Sequence, residues 1–208
     1  MRIGIYGGSF DPVHIGHLLV AESCREAARL DRVDFLPAAV PPHKQSRGLA
    51  APEHRLAMLE LAIGGNPGFG IRDDELARGG VSWTVDTLAA LAAAGPADEI
   101  HLILGPDALA ELPTWREPGR ILELATVLAV EREGLDDVAA VVAEPGLRRL
   151  LGEARARRVI DTRARCPLIG IRSTELRRRV AAGSSIRYLT PAAVERYIAA
   201  HRLYQPAG

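Results

Sequence analysis

The 208-residue chain is poor in lysine, cysteine and aromatic residues and carries no excess charge of either sign. Its 26 basic side chains balance 26 acidic ones, which argues against a general nucleic-acid binder or a protein held on an anionic membrane surface. Of the two cysteines, Cys24 falls in an apparent amphipathic helix and Cys166 precedes a proline, with no CxxC between them. Both read as reduced, packed thiols of a cytoplasmic protein. No uninterrupted apolar run approaches the length of a bilayer crossing, and Met1-Arg2 passes directly into a strand and a glycine turn without a signal-peptide stretch. Neither a membrane nor a nucleic acid is expected as a partner.

The scarcity of lysine carries chemical weight. Arginine supplies every basic residue but one, and the exception is Lys44 in the segment Pro41-Pro42-His43-Lys44. A compact, flexible ammonium suits a polyphosphate where a planar guanidinium does not. Two prolines before it stiffen the segment and reduce the entropy lost on closing over a ligand.

What the chain does have, near its start, is GGSFDPVHIGH at residues 7–17. An apolar strand, Ile3 to Tyr6, opens into the pair Gly7-Gly8, and a helix follows from Ile15. Glycines let backbone N–H groups approach an anion, and a helix start adds donors and the positive end of a dipole. His14 and His17, three apart, can both point at one polyanion and donate to phosphoryl oxygens as charge develops. A metal pair is disfavoured, because no Cys or further His lies close by to complete a ligand set. The dinucleotide fingerprint GxGxxG and the P-loop pattern are both absent.

Strand and helix signals alternate through the rest. Strands are expected at 33–37, 69–72, 100–104, 126–130 and 158–161. Helices are expected at 15–29, 52–63, 84–93, 107–112, 118–124, 138–151, 173–182 and 191–200. This alternation predicts one α/β domain over 1–208 with a doubly wound parallel sheet, helices on both faces and a helical C-terminal segment. Gly105-Pro106-Asp107 ends an apolar strand, where an Asp can accept from ribose hydroxyls or cap the next helix. Ser82-Trp83-Thr84 opens a helix whose N–H groups could bind a carboxylate. Ser173 and Thr174 read as a helix cap followed by Arg177, a plausible cradle for phosphates.

These segments resemble a known family. GGSFDPVHIGHL is similar to the signature of the HxGH nucleotidyltransferases, which have a Rossmann-like fold. Within that superfamily the bacterial nicotinate mononucleotide adenylyltransferases are most similar. The resemblance extends through PAAVPPHK (37–44), HRLAMLELAI (54–63), SWTVDTL (82–88), GPDALAELPTW (105–115) and IRSTELRRRVAAGSSIRYLTPAAVERYI (171–198). It implies ATP and nicotinate mononucleotide as substrates, nicotinate adenine dinucleotide and pyrophosphate as products, and Mg2+ bound with the ATP phosphates.

By the same resemblance, His14, His17, Lys44 and Arg177 would be catalytic. Gly7, Gly8, Ser9, Phe10, Gly105, Asp107, Ser173 and Thr174 would join the two histidines and Arg177 around ATP. Ser9, Lys44, Trp83, Thr84, Trp115 and Arg132 would bind nicotinate mononucleotide, with Trp115 stacked on the pyridine ring. Departures from the family pattern are Pro106, where a small residue is usual, Glu133 in place of proline after Arg132, and Gly170 and Arg172 in place of Asp and Ser. A homo-oligomer stays open. So do two other functions, a sister transferase with an acceptor such as phosphopantetheine and a non-catalytic nucleotide-binding regulator.

Overall fold

The computed structural model describes residues 1–39 and 49–206. The segment around Lys44 lies outside the described residues. Six strands form one sheet: β1 (Arg2–Gly8), β2 (Arg32–Pro37), β3 (Phe69–Ile71), β4 (Glu99–Leu104), β5 (Thr126–Arg132) and β6 (Ala164–Cys166). Their order is β3-β2-β1-β4-β5-β6, which reverses its direction of growth beside β1 as a doubly wound fold requires. Parallel registers run Arg2↔Glu99 to Ile5↔Leu102, His101↔Thr126 to Leu104↔Ala129, and Val130↔Ala164 to Arg132↔Cys166. Burial is continuous from Ile100 to Leu104 and from Val127 to Val130, the pattern of strands covered on both faces. The fold is α/β and Rossmann-like, as expected.

The helices are α1 (Ile15–Ala27), α2 (Pro52–Ile63), α3 (Asp74–Arg78), α4 (Thr84–Ala94), α5 (Pro106–Glu111), α6 (Pro118–Leu124), α7 (Val138–Ala143), α8 (Pro145–Asp161), α9 (Ser173–Ala181) and α10 (Ala192–Ala200). Proline stands in the first turn of α2, α5, α6 and α8, where its missing N–H would have no helical partner anyway. A short 3-10 turn occupies Leu112–Thr114.

Several expectations are corrected. Residues 158–161 are not a strand but the end of α8, and the strand lies three residues beyond that helix, at Ala164–Cys166. α8 is itself kinked at Gly152, whose φ of 67° and ψ of 169° are not helical, and Val159 and Ile160 favour a strand locally, yet Val159 is buried with Ala156 on the helical piece that follows the kink. The expected helix 138–151 is two, broken at Glu144, whose ψ of 130° leaves the helical region before Pro145 restarts it. The short α3 was not anticipated. Gly7 and Gly8 belong to β1 rather than to the loop, with the Gly8 carbonyl accepting from the Ala38 N–H at 3.0 Å.

By internal contacts the chain forms two compact units. One comprises Met1–Tyr6, Val20–Asp34 and Trp83–Leu168; the other comprises Gly7–Leu19, Phe35–Ser82 and Ile169–Gly208. In the first, Ile3, Ile5, Ile100, Leu102, Ile103 and Leu128 form the centre of the core. Gly4 lies in this layer because a Cβ there would come within 2.7 Å of Leu30 Cδ1. In the second, all three phenylalanines make an edge-to-face chain, Phe10 to Phe35 and Phe35 to Phe69, each at 5.4 Å. Buried Met58, Leu59, Leu176, Val194 and Ile198 complete it.

Candidate active site

The loop after β1 is held from several sides within its unit. Phe10 is buried at a left-handed φ of 46°, and its ring lies edge-on to His17 at 5.1 Å. The Ile15 N–H donates to the Leu189 carbonyl at 3.1 Å, and Thr190 Oγ1 donates to the Val13 carbonyl at 2.8 Å. One first-turn N–H of α1 is therefore spent on the protein.

The two histidines do converge. Their rings stack with centroids 3.6 Å apart and planes inclined by 23°. The His14 backbone N–H donates to His17 Nδ1 at 3.2 Å, so the proton of neutral His17 sits on Nε2. Gly16 gives this stack room, since a Cβ there would lie 3.1 Å from His14 Nδ1 and press on the ring. Burial pushes the His14 imidazole down to about 4. Burial, then the neighbouring His14, holds His17 well below the usual histidine range. At neutral pH both are uncharged and can act as N–H donors to an anion.

Helix α9 is fastened beneath the same loop. The expectation that Ser173 caps it is corrected: Arg172 is the N-cap, no side chain caps the helix, and Ser173 Oγ donates to the Pro12 carbonyl at 3.0 Å. Arg177 Nη1 donates to the Asp11 carbonyl at 2.7 Å, and its Nη2 lies 3.4 Å from Thr174 Oγ1. Ser9 is held through its carbonyl, which accepts from Arg55 Nη1 at 3.0 Å; that nitrogen also serves the Ala38 carbonyl at 2.8 Å. Arg55 is buried, and nothing in its helical sequence context distinguishes it from a surface arginine.

The other unit carries a second group of candidates. Trp83 is the N-cap of α4 and Thr84 its first residue, with no side-chain cap to occupy the first-turn N–H groups. Arg116 places its guanidinium 5.6 Å over the Trp83 ring and 3.7 Å from Asp86, so the turn holding Trp115 reaches the start of α4. Trp115 is half-buried, and its indole Nε1 has no hydrogen-bond partner among the described residues. Asp107 does not cap α5: Gly105 is the N-cap, and Asp107 is exposed in the first turn. Pro106 costs α5 no helical hydrogen bond, since it occupies the first turn, although it offers no N–H there. Arg132 makes a two-pronged pair with Asp136 at 2.7 and 3.0 Å, a partner the sequence reading did not include.

The model of the cytidylyltransferase-like family matches residues 5–179. The chain belongs to the cytidylyltransferase-like family. Two relatives of this cytidylyltransferase-like chain bear the name "Probable nicotinate-nucleotide adenylyltransferase". That of Thermomicrobium roseum is 45% identical over 98% of this chain and 92% of its own. That of a Roseiflexus species is 47% identical over 98% of each. Among solved structures, nicotinic acid mononucleotide adenylyltransferase of Plasmodium falciparum complexed with NaAD superposes with a TM-score of 0.73. It is 17% identical and is covered over 98% of this chain and 97% of its own, which bears on the fold alone.

Proposed function

We propose that this chain transfers the adenylyl group of ATP to nicotinate mononucleotide, giving nicotinate adenine dinucleotide and pyrophosphate. The observation that carries the reading is identity of 45–47% to proteins of that name along essentially the whole chain. The stacked histidine pair gives it a physical basis. An oxygen of the acceptor phosphate would attack the ATP α-phosphorus, and the bond from that phosphorus to the bridging oxygen would break as pyrophosphate leaves. His17 Nε2–H and His14 would donate to phosphoryl oxygens, and Arg177 and Lys44 would offset triphosphate charge.

The backbone of Gly7 to Phe10 would flank the phosphates, with Thr174 and the first turn of α9. Gly105 and Asp107 would meet the nucleoside. The start of α4 at Thr84, which has no side-chain cap among the described residues, suits the nicotinate carboxylate, Trp115 suits its ring, and Arg132 suits an acceptor phosphate if Asp136 releases it.

Magnesium, if carried in with ATP, would supply charge shielding of the phosphate oxygens. Asp11, the carboxylate nearest the histidine loop in sequence, is fully buried and accepts from Tyr204 and Ala50. It therefore fits the loop's own architecture rather than a metal, and the ion would be carried by phosphates and water. Pyrophosphate release with ATP, magnesium and alternative acceptors tests the reading. Release requiring nicotinate mononucleotide is expected. Release only with phosphopantetheine would point to the sister transferase, and none with any acceptor would point to a non-catalytic nucleotide binder.

A further inference from the structure

Asp11 is a wholly buried carboxyl group, so its partners decide how the loop is held. Oδ1 accepts from the Tyr204 hydroxyl at 2.6 Å and from the Ala50 N–H at 3.1 Å. Oδ2 has no hydrogen bond among the described residues and stands 3.5 Å from Arg177 Nη1. That same nitrogen donates to the Asp11 carbonyl. The guanidinium thus hydrogen-bonds the backbone of Asp11 and holds its carboxylate only in a longer ion pair.

Tyr204 reaches this place at a local cost. Beyond α10 the backbone is left-handed at Arg202, with φ of 50°, and again at Tyr204, with φ of 62°. The first is explained by helix termination, since the Leu203 N–H returns to the Ile198 carbonyl at 3.1 Å. The second lies in the turn that follows the helix. It aims a phenol at Asp11, and burial followed by the Asp11 carboxylate pushes that phenol upward, so it remains a donor throughout the working pH range.

We propose that Tyr204 is a positioning residue for the phosphate-binding loop: its hydroxyl satisfies Asp11, which leaves Arg177 on the Asp11 carbonyl and available to an anion. Without the phenol the buried carboxylate loses its shortest bond; Arg177 and the buried Arg55, which also feels Asp11, are the neighbouring cations, and Arg177 already faces Oδ2 at 3.5 Å. Tightening of that ion pair would draw the Arg177 guanidinium onto Asp11 Oδ2 and away from a triphosphate. This inference rests on the adenylyl-transfer reading for its kinetic test and on ATP binding alone for its independent one.

In Tyr204→Phe, kcat/KM for ATP should fall about tenfold or more, with KM for nicotinate mononucleotide unchanged. ATP affinity measured by calorimetry should fall in proportion. In a double-mutant cycle with Arg177→Lys the losses should be less than multiplicative, because both act through one guanidinium. A folded Tyr204→Phe with unaltered ATP affinity overturns the inference, as do losses that multiply with Arg177→Lys. If Tyr204→Phe does not fold, the double variant Tyr204→Phe, Asp11→Asn removes the carboxylate together with the phenol. ATP affinity equal to that of Asp11→Asn alone supports the inference, because no carboxylate is left to hold Arg177, and a further loss overturns it. A wild-type protein that binds ATP but adenylates no acceptor sinks the transfer reading while leaving the calorimetric test intact.

Discussion

At the scale of single residues, chemistry and stability meet in the stacked histidines. In the unfolded chain an imidazole titrates near 6.5, whereas burial brings folded His14 to about 4. Between those values the unfolded chain binds more protons, so stability should fall as pH drops from about 6.5 to about 4 and level off below. The full loss attributable to His14 is about 3 kcal/mol. Melting temperatures at pH 7.5 and 5 should therefore differ less in His14→Asn than in the parent, and equal differences would contradict a buried neutral His14. For catalysis, His17→Ala should lower kcat by about 10² with folding intact, the scale of one lost transition-state donor. A folded variant that keeps most of its turnover would remove His17 from the mechanism. The pair was legible because two histidines follow a glycine-ended strand at helical spacing. Arg55 and Tyr204 were not, since one looks like any helical arginine and the other arrives from beyond the last helix through tertiary packing.

At the scale of elements, the legible parts were those whose boundaries have a local cause. Proline in the first turn set α2 at Pro52–Ile63 and α6 at Pro118–Leu124, both as expected from sequence. The β-branched pair Val159-Ile160 misled because burial of Val159 beside Ala156 on one helical face outweighed local preference. Ser173 misled in a different way. Its residue type suits a cap, but it lies inside α9 and its hydroxyl is spent on the Pro12 carbonyl. That bond ties α9 to the histidine loop, so Ser173→Ala should cost about 1 kcal/mol of stability, checked by urea unfolding. An unchanged midpoint and slope would show that the fastening contributes nothing. By contrast Asp137 does cap α7, accepting from the Ala140 N–H at 3.0 Å. Asp137→Ala should lose a similar amount with kcat unchanged.

At the scale of the whole molecule, family membership and local chemistry converge on one reaction while testing different parts of it. Recognition of a carboxylate by N–H groups near Trp83 and Thr84 should favour nicotinate over nicotinamide mononucleotide by about 10² or more in kcat/KM, because an amide turns donors toward donors. Trp115→Ala should weaken both acceptors and preserve much of that ratio, since stacking senses the ring and not its charge. The most direct test follows the transferred group itself. With ATP labelled at the α-phosphorus and nicotinate mononucleotide supplied, the label should appear in a dinucleotide while the released pyrophosphate stays unlabelled. Label that stays in ATP, or passes equally well to unrelated phosphorylated acceptors, would contradict the assignment.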